Sequence, residues 1–181
     1  MDFRTLYQEK RTTPDEAVAR CLRDGIVCAS DIALAHPPAF YDAAARAIDA
    51  GTLHEIYHHN ILDVAPYPYL RPEYAGKFVG ISWFSQANSR KAINAGFCDV
   101  MPAYYRDFPA IFRDYAKPEV MILTVSPMDK QGYFSCECSG SVTDALLVNA
   151  KVILLEVNKY MLRCLRCQLS HGCHPAGEGA D

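Results

Sequence analysis

The feature that most limits how this chain can fold is a repeated alternation along its length. Short apolar runs recur, separated by segments long enough for a helix, with glycines at many of the junctions. The plainest pair is "EVMILTV" (119–125) and "KVILLEV" (151–157), with "SGSVTDALLVNA" between them. Antiparallel strands can be joined by a two-residue turn, whereas parallel strands need a crossover of a dozen or more residues. Strands spaced in this way predict an open, mostly parallel sheet with helices on both faces, an α/β fold. The expected strands cover residues 26–29, 53–57, 79–83, 120–124 and 152–157.

The connections carry their own signals. In "TPDEAVARCLRDG", Thr13 is a helix N-cap, Pro14 suits the first helical position and Glu16 closes a capping box. Gly25 stands where a C-cap belongs. A second helix is expected over 39–50, closed by Gly51, and a shorter one over "SRKAINAG", closed by Gly96. "RDFPAIFRDYA" and the segment begun by Ser141 or Thr143 read as further helices, and "FCDVMP" as a strand that Pro102 ends. Residues 65–76, "APYPYLRPEYAG", hold too many prolines for regular structure and predict an ordered loop packed by aromatic rings.

Composition narrows the partners. Half of the 181 residues are hydrophobic and 22% are charged, as in an ordinary globular domain with a core of its own. A net charge of -3 without a basic stripe argues against nucleic acid. No apolar run nears the roughly 20 residues that cross a bilayer, so no membrane partner is expected. The first residues, "MDFRTLYQEKRTTPDE", are too polar for a secretory signal, which makes the cytoplasm the expected compartment. Its reducing chemistry would leave the eight cysteines as free thiols.

In open parallel sheets the ligand crevice lies outside the carboxyl ends of the strands. Four loops fall there: "SDIALAHPP", "SQANSR", "SPMDKQGYFS" and "NKYM". Within them Ser126 and Asn158 offer a hydroxyl and an amide that could hold a small carboxylate or cap a strand end. Pro127, Asp129 and Gly132 shape a tight turn, the glycine by adopting positive φ and the aspartate by bonding its own backbone. Glu156, near the end of the last strand, is either an acid that orients substrate or a carboxylate satisfied by backbone or arginine. Asp31 and His36 have the makings of an acid–base pair but lack a nucleophile elbow. His54 and His58 would share one face of a strand while His59 points away, so the three read as solvated rather than metal-binding. Cys136 and Cys138 read as packing residues.

Two motifs, "SPMDKQGYFS" and "AKVILLEVNKYM", together resemble the N-terminal half of the acetyl-CoA hydrolase/4-hydroxybutyrate CoA-transferase family. "TPDEAV", "DGIVCAS" and "SRKAINAGFCDVMPAYYRDFP" fall in the same order, so the resemblance spans residues 1–161 as one α/β domain. It implies an enzyme of two similar open α/β halves with the active site between them. A glutamate carboxylate attacks the acyl-CoA thioester, and the released CoA thiolate attacks the resulting mixed anhydride. The glutamyl-CoA thioester so formed passes CoA to a second carboxylic acid, or to water in hydrolases. The family's nucleophilic glutamate and CoA-binding glycine-rich loop belong to its C-terminal half. No catalytic residue is therefore expected in this chain. Ser126, Pro127, Asp129, Gly132, Glu156 and Asn158 are expected to line the cleft or position substrate. The implied ligands are an acyl-CoA and a small carboxylate as substrates, with no permanently bound cofactor. The implied partner is a missing C-terminal half or another copy of the chain. The alternative is a truncated, non-catalytic remnant or interaction subunit.

After Met161 the chain departs from the family, reading "LRCLRCQLSHGCHPAGEGAD" over 162–181. Cys164, Cys167, His171, Cys173 and His174 are all zinc-ligand types. Their spacing crams the second pair against the first, where a tetrahedral site needs a chain-turning loop. No metal is expected there, and the tail reads as out-of-frame or disordered sequence.

Overall fold

The computed structural model describes residues 2–136, 139–164 and, as backbone alone, 168–170. The described strands are β1 (Ile26–Ile32), β2 (Ile56–Ile61), β3 (Phe78–Ser82), β4 (Asp99–Val100), β5 (Val120–Val125), β6 (Tyr133–Ser135), β7 (Val152–Val157) and β8 (Gln168–Ser170). Six of them form one sheet in the order β4-β3-β2-β1-β5-β7. Every neighbouring pair is parallel. β6 and β8 make a small antiparallel pair beside it. The expected α/β architecture is the observed one.

The helices are α1 (Phe3–Lys10), α2 (Pro14–Cys21), α3 (Pro38–Asp49), α4 (Ala87–Asn94), α5 (Phe108–Ile111) and α6 (Thr143–Asn149). Two apolar layers cover the sheet. One joins Val18 of α2, Phe40, Tyr41 and Ile48 of α3 and the rings of Tyr67 and Tyr69 to one face. The other packs Trp83, Phe108, Phe112 and Leu146 on the opposite face. The capping box at Thr13 forms as expected: Thr13 Oγ1 accepts from Glu16 N at 3.3 Å, and Glu16 Oε2 accepts from Thr13 N at 3.1 Å.

Several boundaries move for physical reasons. The second strand begins at Ile56 rather than 53, because Asp24 captures the backbone first. Its carboxylate accepts from His54 N at 2.6 Å and Glu55 N at 3.3 Å, so those amides are turned away from the ladder. α2 stops at Cys21, and Gly25, at φ +76°, serves the turn into β1 instead of a C-cap. The segment expected as one helix over "RDFPAIFRDYA" breaks into a 3-10 turn, α5 and a π-helical turn, Phe112–Ala116. It ends at Lys117, at φ +43°. The 65–76 loop is ordered by two 3-10 turns, with Tyr67, Tyr69, Leu70 and Tyr74 buried. α1 carried no clear sequence signal, and none of its residues is buried.

The histidines require a correction. His58 and His59 are buried, not solvated, because β2 starts later and runs through the middle of the sheet. His59 Nδ1 accepts the Trp83 indole N–H at 2.8 Å. His54, outside the strand, is instead exposed and lies 2.9 Å from Asp24. Cys136 is buried, while Cys138 lies outside the described residues.

Gly80 shows how tightly the aromatic loop sits on the sheet. A Cβ there would meet Tyr69 Cδ2 at 2.8 Å and Cys98 Sγ at 3.3 Å. Tyr69 is fully buried and cannot swing aside. Gly80→Ala should therefore lower stability by about 1–3 kcal/mol, as overpacked cores do. Urea unfolding measures it, and an unchanged midpoint would show that the loop is not seated on β3.

Candidate functional site

Chain order places a crevice between β1 and β5. From β1 the chain steps outward through β2, β3 and β4, then returns across β1 to lay β5 on its other side. The connections leaving β1 and β5 therefore part in opposite directions, the arrangement that opens a ligand crevice at the carboxyl ends. Ala33 and Leu62, the residues directly after β1 and β2, are both non-glycine residues at positive φ, +51° and +62°. Strain of that kind persists only where surrounding contacts over-determine it.

Asp31 supplies such contacts at the switch point. Its buried carboxylate accepts from Ile32 N, Ser141 N, Ser141 Oγ, Val142 N and Thr143 Oγ1, at 2.6, 3.3, 2.6, 3.1 and 2.6 Å. It thus ties the end of β1 to the chain entering α6. Asp31 and His36 are not an acid–base pair, since the carboxylate is fully engaged by other groups. His36 is buried, with its ring 5.3 Å from Tyr67, and neither of its nitrogens makes a well-formed hydrogen bond. Burial holds its pKa down at about 4, although backbone groups of Ile61 and Asp31 pull the other way.

A row of polar side chains crosses the face that α3 covers. Residues two apart on a strand share a face. On this face the strands begin apolar, with Ile26, Ile56, Phe78, Val120 and Val152, and turn polar toward their carboxyl ends. The polar residues are Ser30, Asn60, Ser82, Thr124 and Glu156, with Asn60 beside Ser82 and Thr124 beside Glu156 in register. Ser30 Oγ lies 3.2 Å from His58 Nε2, and Tyr41 Oη lies 2.9 Å from the same nitrogen. Beneath the aromatic loop, Asp63 accepts from Tyr69 Oη at 2.7 Å and Asn60 Nδ2 at 2.6 Å. Burial pushes its pKa up to about 6 despite the hydrogen bonds from Tyr69, Ser89 and Asn60. Single-residue reading missed this row, whose signal is the same apolar-to-polar switch repeated in five strands.

The residues expected to line the cleft gather at the carboxyl ends of β5 and β7, mostly with structural partners. Ser126 Oγ accepts from Ser135 N at 3.0 Å, and Ser126 N donates to Ser135 O at 2.9 Å, a clasp that closes the turn. Gly132 supplies the positive φ of that turn, +90°. Pro127 is exposed. Asp129 Oδ1 accepts from Gln131 N at 2.9 Å and Tyr133 N at 2.7 Å, and its other oxygen pairs with Arg163. Partial burial disfavours its charge, but the amides of Tyr133 and Gln131 and the guanidinium outweigh that and hold its pKa below the usual range. Asn158 is exposed and its Oδ1 accepts from Tyr160 N at 2.9 Å. Glu156 Oε2 accepts from Phe40 N at 3.1 Å, in the first turn of α3. Burial raises its pKa, and the α3 amides partly offset the rise.

Cys164 is half-buried and its backbone N–H donates to Ser135 Oγ at 2.9 Å. Cys167, His171, Cys173 and His174 lie outside the described residues. Among the described residues no three metal-ligating side chains converge.

Comparison with known proteins supplies the family. The profile of the acetyl-CoA hydrolase/transferase N-terminal domain matches residues 1–165. The chain belongs to that family. It is 32% identical over 171 residues to a succinyl-CoA:cyclohexane-1-carboxylate CoA transferase of Geobacter metallireducens, covering 93% of this chain and 36% of that protein. It is 30% identical over 167 residues to a butyryl-CoA:acetate CoA-transferase of Anaerostipes caccae, covering 91% of this chain and 37% of that one. The crystal structure of RipA from Yersinia pestis superposes with a TM-score of 0.88 at 27% identity, over 97% of this chain and 43% of that one. The chain thus spans a little over a third of the curated relatives it matches, and corresponds to the N-terminal part of the family's architecture.

The Asp63 network yields a stability prediction with a definite sign. A carboxyl whose folded pKa exceeds its unfolded value binds more protons when folded, so its contribution falls as pH rises. Between pH 3.8 and 6 Asp63 should lose roughly 3 kcal/mol, from about two pKa units at 1.36 kcal/mol each. Asp63→Asn keeps an acceptor for Tyr69 without the buried charge. It should be more stable than the parent at pH 7.5 by about 1–3 kcal/mol, with the gain gone near pH 4. Urea titrations of both proteins at the two pH values measure the difference, and a variant less stable at pH 7.5 would refute it.

Proposed function

We propose that this chain forms one wall of the active-site cleft of an acyl-CoA:carboxylate CoA-transferase, of the 4-hydroxybutyrate, acetate or butyrate type, or of an acetyl-CoA hydrolase. The opposite wall, with the nucleophilic glutamate, comes from additional polypeptide. The observation that carries this reading is a line of exposed apolar side chains along the carboxyl rim of the sheet. Leu34, Val64, Phe84 and Val100 are each about half exposed where β1, β2, β3 and β4 end, and Tyr160, just past β7, is 80% exposed. Apolar residues repeated along one rim mark a surface that another protein surface covers. The same rim holds the crevice at the β1–β5 switch point, so a second wall seated there would enclose it.

The roles follow from chemistry. Ser126, Asp129 and Gly132 set the shape of the rim turn, Pro127 and Asn158 present the surface beside it, and Glu156 holds the start of α3. Cys21, Cys28, Cys98 and Cys164 are free thiols, which suits a cytoplasmic enzyme. Where the second wall is lacking, the apolar rim favours self-association into a homo-oligomer.

In the reaction, the glutamate oxygen bonds to the acyl carbon as CoA thiolate leaves, and the thiolate then attacks the glutamyl carbonyl and expels the acyl carboxylate. Attack by the acceptor acid on the glutamyl-CoA thioester and return of the thiolate complete the transfer. Glu156 is a poor nucleophile for this, because its carboxylate is already bonded to the Phe40 amide. Incubation of the chain alone with acetyl-CoA should leave no covalent CoA adduct by mass spectrometry. With a polypeptide supplying the remaining family length, an adduct should form on a glutamate of that polypeptide and be trapped by borohydride or hydroxylamine. An adduct on Glu156 would overturn the assignment of roles.

A further inference from the structure

The two edges of the sheet are built differently. β4, at one edge, has only two residues, Asp99 and Val100, and both are exposed. Short length and a charge are ordinary ways of blunting an edge against pairing. β7, at the other edge, has no such protection. It holds six residues, Val-Ile-Leu-Leu-Glu-Val, without proline or lysine, in unbroken parallel register with β5. Its one charge, Glu156, is engaged by the Phe40 amide. A near-continuous apolar run of this kind belongs to strands inside a parallel sheet. Yet Val152 to Glu156 are all only half-buried. Val152 N donates to Glu119 O at 3.2 Å and Asn158 N donates to Val125 O at 2.9 Å, so even-numbered residues face β5. The N–H and C=O groups of Ile153, Leu155 and Val157 turn outward, and among the described residues no strand pairs with them.

A trough of about 560 Å³ runs along this outward side, between β7 and the segment that carries α1 and α2. It borders residues 153–157 of β7 and reaches both faces of the sheet. On one face it meets Ile122 and Phe40, on the other Phe134 and Tyr7. Successive residues of a strand point to opposite faces, so one added strand sends alternate side chains into both apolar layers. The trough has the shape of a missing strand. Lys10 and Arg11 stand on its outer wall, and neither makes an ion pair with a carboxylate among the described residues. An acidic flank therefore suits the segment that enters.

The chain's own strand β8 is already paired with β6. A second copy meets an obstacle, because its own α1–α2 segment stands at the same edge and would be pressed against this one. A strand from further polypeptide meets no such obstacle, and the chain spans only 36% of the Geobacter metallireducens relative, which leaves ample length to supply one. We infer that the trough beside β7 receives one strand, parallel to β7 and apolar on both faces, from the additional polypeptide that forms the second wall. Every neighbouring pair in the sheet is parallel, and purely parallel sheets are favoured over mixed ones. A segment as long as β7, six residues, spans the edge. The choice of that polypeptide rests on the cleft reading, and the strand places it inside the sheet as well as along the rim.

The test joins the intact chain, through a flexible linker, to the part of the Geobacter metallireducens CoA transferase that follows its matched region. Backbone hydrogen exchange at Ile153, Leu155 and Val157 should slow roughly tenfold or more relative to the chain alone. Leu154 and Glu156, already bonded to β5, should change little. Leu155→Pro removes an outward N–H without touching the β5 ladder, a position where an edge strand tolerates proline. The chain alone should keep its circular dichroism with this substitution, whereas the joined protein should return to fast exchange at Ile153 and Val157. Outward amides that stay unprotected in the joined protein overturn the strand. Protection in the chain alone that grows with protein concentration also overturns it, by assigning the edge to a second copy. A CoA adduct on a glutamate of the joined polypeptide, with these amides still unprotected, sinks the strand alone. Protection without an adduct upholds the strand and sinks the catalytic reading alone.

Discussion

The carboxylate of Asp31 holds together a place where the chain itself provides no connection. β1 and β5 are adjacent in the sheet but far apart in sequence, and their outgoing segments diverge. A crevice at such a point is useful only if its walls keep their spacing. Five donors from Ile32, Ser141, Val142 and Thr143 converge on Asp31, so the end of β1 and the approach to α6 move as one piece. The positive φ of Ala33 comes two residues later, where the chain must leave the strand abruptly. An aspartate rather than a glutamate suits the task, because its short side chain cannot withdraw from the backbone amides it binds.

Much of this was legible in the sequence, and the reasons differ from element to element. The β5 and β7 strands could be read because uninterrupted apolar runs between helical segments have few other uses. α2 could be read because the Thr13–Glu16 capping box is a purely local device. β2 was misplaced because its first amides answer to Asp24, a partner thirty residues away that periodicity does not record. The histidines went wrong with it, since moving the strand start carries His58 and His59 into the middle of the sheet. α1 escaped notice because its apolar stripe, Phe3, Leu6 and Tyr7, is confined to its first five residues and none of its residues is fully buried.

The site divides along the same line. The turn at Ser126, Asp129 and Gly132 was visible because its chemistry is contained in a few consecutive residues. Asp63 was invisible, because its partners Asn60, Tyr69 and Ser89 come from three different elements. Its raised pKa opposes the buried neutral histidines, which favour the fold at higher pH. Burial alone therefore acts in both directions on the pH dependence of one sheet.

The apolar-to-polar switch shared by five strands has a consequence for motion. The lower part of the sheet is held by the hydrophobic effect, which weakens on cooling. On the α3 face the upper part, from Ser30 across to Glu156, is held by directional hydrogen bonds among buried groups, while the opposite face stays apolar up to the rim through Ile61, Trp83, Leu123 and Val125. Local opening begins where buried apolar contact is thinnest and polar groups are least satisfied. Opening should accordingly start on the α3 side of the rim, while the opposite face and the Asp31 clasp stay closed. Water then reaches the polar row from the α3 side while the walls at the β1–β5 switch point keep their spacing.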